Sequence, residues 1–596
     1  MRFVLAIVSL VIAVGLAGYG FAQRTILSGP ESLKVTSVTE SEAPVTVIDG
    51  ETLNALEGRQ DLEISGSDTI FAAYARTIDV LAWVGDATYN EISFDSETST
   101  LTSTTRQGTE DIVPAPAGSD LWLREYTGEN ELDVKVSLNE DFSILLVSDG
   151  TQPAPSTVSI SWPLDNRTPW AGPLIAVGGV MLLLAVAFFV WAVVHRFRTR
   201  GPRRKSIKPP KTPRMPKLPK QRSYQVRRPD SVTSTRGRRS SRRMTAMIPV
   251  VLVGTLALSG CSAELWPGVG GDAASPSPSV SEVIPVEELQ PPAATVRQVE
   301  SMVRDIAAVA ATADATLDTE ALKARFAGPA LDLRAGNYAI RAKDSAHPAL
   351  PAIPEGPVEV TLPQQADETW PRSILAVVTP PQDESTDPPT DLPPVALTLV
   401  QQTPREQFKV NYSVALESDA VLPELPPEGV GVPRLAPDTK FLTMPPSQLA
   451  AAYVDVLNVG AESASYQFFD VEQDDFIPNV GVEARAARKA AIPATAAIEF
   501  AIAPGTAESV ALASNESGAL VTVSLSETET VKPVEAGATV NPEGATKTLS
   551  GVTGTTKGVM ASYIDQLLFY IPPVGSSEKI VLLGFSQGLV SAQEIA

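Results

Sequence analysis

The stretch Met244-Thr-Ala-Met-Ile-Pro-Val-Val-Leu-Val-Gly-Thr-Leu-Ala-Leu-Ser-Gly-Cys261 divides this 596-residue chain into two parts. Two arginines precede a short apolar run, which ends in Leu258-Ser259-Gly260-Cys261, a pattern typical of bacterial lipoprotein signals. The run is short for a membrane span. Residues 244–261 are therefore predicted to be either a lipoprotein-type signal, with Cys261 as the lipid acceptor, or a third transmembrane segment.

Two longer apolar runs lie before this stretch. Residues 1–22 are predicted to be a retained signal anchor or transmembrane helix, because only Arg2 precedes the run; a cleaved signal peptide is the alternative. Residues 170–194 carry no charge, and Trp170 and Trp191 lie near the ends of the run, as in the aromatic belts of membrane helices. A transmembrane helix is expected there.

The segment 195–243 is basic and rich in proline, with 19 Lys or Arg and a single acid, Asp230. Such a block beside an apolar span marks the cytoplasmic side of a membrane, and we expect a loop held at anionic lipid headgroups. A nucleic-acid tether or a docking site for a proline-reading partner is the alternative for this loop. The residues predicted at the membrane surface are Arg196, Arg198, Arg200, Arg203, Arg204 and Lys205.

The overall net charge is −22 despite this basic loop, so the remainder of the chain is strongly acidic. An acidic surface suits domains outside the cell, and no nucleic-acid partner is expected for it. Cys261 is the only cysteine, which excludes an intrachain disulfide and a cysteine-based zinc site. The charge distribution predicts a membrane protein whose large domains lie on the extracytoplasmic side.

The two flanking regions have different periodicities. Residues 23–169 alternate apolar and polar side chains, as at Leu132 to Leu138 and Val158 to Trp162, and Ile70 to Trp83 is also predicted as a strand. This pattern predicts an all-β, sandwich-like ectodomain. After a flexible linker at 262–294, helices followed by strands occur twice, which predicts two α+β lobes at 295–430 and 431–596 with a likeness to cone-shaped folds of the nuclear-transport-factor-2 (NTF2) type.

Two local motifs suggest chemistry. Gly584-Phe-Ser586-Gln-Gly588 matches a nucleophile elbow, but few residues follow it and neither histidine comes after it, so a hairpin turn is the better interpretation. Four carboxylates in six residues form a weak candidate for a hard-cation site, although the spacing does not fit an EF-hand, and a solvated acidic turn is preferred. Those residues are Asp470, Glu472, Asp474 and Asp475. No catalytic set and no cofactor are predicted.

The C-terminal half resembles uncharacterised envelope membrane proteins and lipoproteins of actinobacteria. The resemblance rests on the Leu258 to Cys261 motif, on the segment Leu331-Asp-Leu-Arg-Ala-Gly-Asn-Tyr-Ala-Ile-Arg341, and on the richness in Ala, Pro and Val. It implies no activity and transfers no functional residue.

The expected function is that of a membrane-anchored, extracytoplasmic binding or scaffolding protein of the cell envelope, with an envelope protein or a glycan as partner. A cell-wall or glycan-processing enzyme that uses carboxylates is the first alternative. A transmembrane sensor, in which the basic loop reports an outside event, is the second.

Overall fold

The computed structural model describes residues 1–164, 168–198, 291–366, 369–380, 392–418, 420–427 and 429–596. Its described residues form two compact units. One contains two long helices from 1–33 and 163–198; the other contains 34–162 together with 291–596. The β-rich region and the C-terminal half therefore belong to the same unit, although residues 163–290 separate them in the sequence.

The apolar unit consists of α1 (Arg2–Thr25) and α4 (Ala171–Arg198), both long and apolar enough to cross a membrane. Only 22% and 17% of their most apolar windows are buried, so most of the apolar surface of each helix is exposed, unlike that of a core helix in a soluble protein. Small residues recur every seventh position on the buried stripes, which suits close left-handed packing of two helices. These residues are Ala6, Ala13 and Gly20 on α1, and Ala171, Gly178, Ala185 and Ala192 on α4.

The β-rich domain begins with β1 and ends with β8, both close to the apolar helices in sequence. Its strands are β1 (Ser32–Val38), β2 (Val45–Ile48), β3 (Gln60–Arg76), β4 (Tyr89–Asp95), β5 (Thr100–Arg106), β6 (Arg124–Val136), β7 (Phe142–Val147) and β8 (Thr157–Pro163). Two short helices, α2 (Gly50–Leu53) and α3 (Thr77–Val84), interrupt them.

These eight strands form one hydrogen-bonded sheet, in the order β1-β8-β3-β7-β2-β4-β5 with β6 on β3. Strand β3 is antiparallel to β6, β7 and β8, as are β2 to β7 and β4 to β5, whereas β2 and β4 are parallel. Apolar clusters cover both faces: one contains Trp162 and Ile144, the other Trp83 and Leu145. Ile144 and Leu145 are neighbours on β7, so their side chains point to opposite faces. The prediction of an N-terminal β-rich domain is confirmed, but the predicted strand to Trp83 ends at Arg76, because residues 77–84 form α3.

The C-terminal half begins with helices, and its described residues contain seven α-helices in all. These are α5 (Val296–Thr316), α6 (Thr319–Leu322), α7 (Gly328–Arg341), α8 (Pro446–Val459), α9 (Ile477–Val480), α10 (Val482–Ala491) and α11 (Gly544–Ser550). The strands are β9 (Val358–Pro363), β10 (Arg372–Val378), β11 (Val395–Gln401), β12 (Lys409–Leu416), β13 (Ala496–Pro504), β14 (Val510–Ala513), β15 (Ala519–Pro533), β16 (Val559–Ile571) and β17 (Val581–Glu594).

All nine strands belong to one antiparallel sheet, in the order β13-β15-β16-β17-β12-β11-β10-β9 with β14 on β15. The described strands of its two halves pair with each other where Ala415 and Leu416 of β12 oppose Phe585 and Gly584 of β17. Each half has its own core against its own helices, one on α5 and one on α8. A third cluster joins the opposite faces of the two halves, with Val377 and Tyr412 from one and Leu520 and Leu568 from the other. The C-terminal half is thus one β-sheet domain with two packed halves, and its division into lobes at 295–430 and 431–596 stays a prediction.

The two halves repeat one backbone detail. Phe326 and Val410 form an isolated parallel bridge in the first half, and Phe469 and Ile580 form the same bridge in the second. The hydrogen bonds also match: the amide of Val410 donates to the carbonyl of Arg325, as the amide of Ile580 donates to that of Phe468. This agreement supports the repeat that the order of helices and strands predicts.

Candidate functional site

The β-rich domain and the C-terminal domain meet through buried charged side chains. Asp79 lies in the first turn of α3, and its two carboxylate oxygens bind two arginines. Arg372 Nη1, from β10, donates to Oδ1 at 2.5 Å, and Arg76 Nε donates to Oδ2 at 2.7 Å. Arg372 is 0% exposed and Asp79 only 3%, so this pair is excluded from water.

Arg76 also connects the two domains directly. Its guanidinium donates to the main-chain carbonyls of Pro292 and Ala293, at the start of the C-terminal domain. These two carbonyls lie just before α5, whose first turn is closed by a capping box of Thr295 and Gln298. The Gln298 amide then donates to the carbonyls of Asp120 and Leu121 in the β-rich domain, at 3.0 and 3.2 Å.

A second buried pair lies beside this cap. Arg325 holds Asp120 with two parallel bonds, from Nη1 to Oδ2 at 2.6 Å and from Nη2 to Oδ1 at 3.1 Å. The amide of Phe408 donates to the same carboxylate at 2.7 Å. Burial raises the pKa of Asp120, while the charge of Arg325 and these hydrogen bonds oppose that rise. The fork geometry gives the contact a defined orientation as well as a charge match.

A fourth arginine, Arg405, binds the C-terminal end of α3. Arg405 donates from Nε and Nη2 to the carbonyls of Trp83 and Val84, at 2.8 and 2.7 Å, and from Nη1 to Glu110 at 2.7 Å. Helix C-termini carry carbonyls without intrahelical partners, so a cation there is favourable. Nearby, Gln407 donates to the carbonyl of Gly118 at 2.9 Å.

We call this set the docking interface. From the β-rich domain it comprises Arg76, Asp79, Trp83, Val84, Glu110, Gly118, Asp120 and Leu121; from the C-terminal domain Pro292, Ala293, Gln298, Arg325, Arg372, Arg405, Gln407 and Phe408. Buried ion pairs contribute little net stability, but losing one partner is costly because the other charge stays buried. The arrangement therefore favours one specific mode of docking.

A separate acidic pair lies inside the C-terminal domain. Asp565 of β16 is directly opposite Gln587 of β17, and the Gln587 amide donates to Glu527 of β15 at 3.1 Å. Burial, and next the charge of Glu527, raise the pKa of Asp565 to about 7. Burial also raises the pKa of Glu527, with Glu529 adding to the rise. Two carboxyls with raised pKa values could exchange a proton as general acid and base.

Access to this pair is closed. Asp565 is 0% exposed and Glu527 is 2% exposed, whereas an acid that protonates a substrate must contact it. One cleft, of about 220 Å³, is lined by Gln587, and another, of about 290 Å³, by Ser526 and Ile564, but neither cleft is lined by either acid. In the cleft lined by Gln587, the side-chain carbonyl of Gln566 accepts a hydrogen bond from the main-chain amide of Ser413 at 2.8 Å. The acidic pair is better placed to bind a proton than to act on a ligand.

Ser586, from the predicted elbow motif, lines the same cleft. It lies within the continuous strand β17, so the predicted hairpin turn is wrong: extended backbone runs through Gly584 and Gly588. Its Oγ accepts from the amide of Ala415 at 3.1 Å, and no histidine lines the cleft. The two glycines allow close packing, since a Cβ at Gly584 would meet the carbonyl of Ala415 at 2.3 Å. A nucleophile elbow places its serine on a sharp turn between a strand and a helix, whereas Ser586 lies in the middle of a strand.

The four carboxylates of the weak cation candidate differ in burial and do not form one site. Asp474 is buried, and it accepts from the Tyr453 hydroxyl at 2.7 Å and from the amides of Phe476 and Ile477. Glu472 and Asp475 are exposed and Asp470 is half-buried. In the described ranges no group of three or more His, Cys, Asp or Glu could hold a metal ion. The role of Asp474 is therefore to hold the turn before α9.

The other predicted site residues lie at or beyond the end of α4. Arg196 and Arg198 occupy its last turn. Arg200, Arg203, Arg204, Lys205 and the motif from Leu258 to Cys261 lie outside the described residues.

Sequence reasoning missed the docking interface. One signal was available: Arg372 directly precedes the apolar run of β10, and Asp79 interrupts the apolar helix α3. A single charge in a run that is otherwise buried needs a partner, but nothing local in the sequence says which.

The fold and the docking interface define a two-domain β-sheet protein with two candidate membrane helices. The chain belongs to a family defined by a domain of unknown function, DUF8094, whose model matches residues 290–594. No curated protein and no solved structure shows significant similarity to the chain. The match begins where the C-terminal domain begins and leaves the β-rich domain outside it.

Proposed function

We propose that this chain is a membrane-anchored scaffolding or binding protein of the bacterial cell envelope, with both folded domains on the extracytoplasmic side. The docking interface is the observation that carries the proposal. Its charged side chains hold the two domains together as one body through ion pairs and hydrogen bonds. The partner is an envelope protein or a glycan.

Chain connectivity supports a common side for the two domains. The β-rich domain lies between α1 and α4, so two spanning helices leave it on one face of the membrane. The segment after α4 then starts on the opposite face, where its arginines favour the cytoplasm. Since the C-terminal domain is docked on the β-rich domain, the chain must return across the membrane between residues 199 and 290.

One stretch of the sequence is a candidate for this return across the membrane. Ile248 to Leu258 is the apolar run between α4 and the C-terminal domain, and Cys261 follows it. We infer that this stretch inserts as a lipoprotein-type signal, with Cys261 lipidated, and that the basic loop of 195–243 remains at anionic headgroups. An actinobacterial origin and NTF2-type cones for the two halves of the C-terminal sheet belong to the same proposal.

Single-cysteine labelling tests the arrangement. In a Cys261→Ser background, Glu97→Cys in the β-rich domain and Asp438→Cys in the C-terminal domain are exposed positions. A membrane-impermeant maleimide applied to intact spheroplasts should label both, whereas Ser206→Cys in the basic loop should react only after lysis. Protection of Asp438→Cys in intact spheroplasts would overturn the proposed topology.

The scaffolding role itself requires a functional comparison. In a deletion strain, chains carrying Arg325→Ala or Arg372→Ala should fail to restore envelope integrity, since they break the body, while Asp565→Asn should restore it. The reverse result would favour the second candidate function, a carboxylate-dependent enzyme of cell-wall or glycan processing. The paired acids Glu527 and Asp565, both with raised pKa values, are the observation behind that candidate, which would require a rearrangement that exposes these buried side chains to a substrate.

A further inference from the structure

The docking interface has the construction of an interface between two proteins. In the part of the chain that the structure describes, the strands of the β-rich domain and of the C-terminal domain form separate sheets. Contact between them is made by side chains that bind carboxylates or carbonyls, with arginines on both sides. Arginine-rich, water-excluded contacts of this kind are typical of specific protein–protein recognition.

The cysteine motif lies between the two domains in the sequence. A cut before Cys261 would break the only covalent connection between the two domains, because it falls between α4 and α5. Hydrolysis of the Gly260–Cys261 peptide bond by one water leaves a Gly260 carboxylate and a Cys261 amine. The family match also begins beyond this point, at residue 290, so the C-terminal domain is a unit defined without the β-rich domain.

We propose that the docking interface is a subunit interface: residues 1–260 and 261–596 remain a one-to-one complex when the connection between them is cut. The partner of the DUF8094 domain is thus the β-rich domain of its own chain. The first piece is held in the membrane by α1 and α4, and the second by the lipid on Cys261. The sidedness of this complex rests on the proposed function; the persistence of the interface does not.

The test uses the full chain with one engineered cut. A site-specific protease sequence is inserted between Pro276 and Ser277, in a Cys261→Ser background with a C-terminal affinity tag. After purification in detergent and cleavage, the tagged piece contains no apolar run, so a shared micelle cannot retain its partner. We expect the N-terminal piece to remain bound in equal amount through affinity and size-exclusion steps.

Interface variants make the result specific. Arg325→Ala combined with Arg372→Ala should lower the retained fraction about tenfold or more, in line with the cost of truncating buried anchors. Lys323→Ala, which removes an exposed pair with Glu320 near Arg325, should leave retention unchanged. Arg405→Ala at the partly exposed edge of the interface provides a milder variant in case the double variant unfolds.

The outcomes separate the two proposals. Loss of the N-terminal piece from the cleaved parent overturns the subunit interface, even if cysteine labelling places both domains outside. Full retention in both Arg405→Ala and a folded double variant also overturns it, because the named contacts would then not hold the pieces together. Stoichiometric retention with an inverted labelling pattern supports the interface and rejects the topology.

Discussion

Asp79 and Arg372 form a 2.5 Å ion pair across 293 sequence positions, joining a helix of the β-rich domain to a strand of the C-terminal domain. Both side chains are almost wholly excluded from water. In such a place a charge is tolerated only with a partner, so the pair makes the position of each domain dependent on the other.

Removing Arg372 should therefore destabilise the whole unit. We expect Arg372→Ala to lower the free energy of unfolding by about 3 kcal/mol, because Asp79 keeps only Arg76 and a cavity is added. Lys34→Ala, which removes a pair with Glu63 that is about half exposed on both sides, should cost under about 1 kcal/mol. Denaturant titration of the purified chains measures both. Equal losses in the free energy of unfolding would show that the buried pair contributes no more to stability than the exposed pair does.

Asp565 should impose a pH dependence on stability. Its pKa rises from 3.8 to about 7 in the folded state, so the folded chain keeps a proton that the unfolded chain releases between these values. The contribution of this carboxyl to the free energy of unfolding should then be fully present below about pH 4 and decline as the pH rises to about 7, by up to about 4 kcal/mol. Asp565→Asn should remove this decline.

The measurement is a series of unfolding curves from pH 4 to 8 for the parent, Asp565→Asn and Asp438→Asn. The last variant changes an exposed aspartate and should follow the parent. Parallel curves for the parent and Asp565→Asn would contradict a raised pKa at this carboxyl.

The small-residue stripes predict that α1 is retained and paired with α4. The rings of Phe3 and Phe189 lie 6.1 Å apart between centroids. In a Cys261→Ser chain, Phe3→Cys and Phe189→Cys should therefore be joined by a short bifunctional thiol cross-linker, and mass spectrometry should detect the linked peptide. Gly178→Leu should reduce its yield strongly, because a Cβ there would meet the Ala17 amide nitrogen at 2.8 Å.

The neighbouring glycine supplies the control. A Cβ at Gly179 would meet nothing within 4 Å, so Gly179→Leu should leave the yield of the linked peptide unchanged. Absence of the linked peptide from the parent chain, together with loss of the N-terminal residues from its mass, would show that α1 is cleaved.

Ser586 should be chemically inert. It lies in mid-strand, and its Oγ accepts the amide of Ala415, so nothing in its position activates it as a nucleophile. Treatment with a fluorophosphonate should leave the intact mass of the protein unchanged. A single adduct that disappears in Ser586→Ala would reinstate the nucleophile hypothesis.

The hydrophobic pattern of the sequence was sufficient for many elements. The hydrophobic pattern predicts strands at 373–379, 395–401 and 408–416, and β10, β11 and β12 lie within one residue of these ranges. Helices α1 and α4 coincide with the two long apolar runs. Such elements are predictable because burial of one face repeats with period 2 in a strand, and because a membrane span must be apolar over its whole length. Helix α3 was missed because its apolar residues also fit a strand that is buried on both faces.

What the sequence alone determined about this protein is the location of its apolar runs, its basic segment, its cysteine motif and many of its strands. Only the tertiary structure decided that Arg325 meets Asp120, that Arg372 meets Asp79, and that Asp565 is buried beside Glu527. The physical reason is that these contacts join residues far apart in the sequence. Periodicity reports how a residue relates to its own helix or strand, whereas the partner of a buried charge is chosen by how distant segments pack.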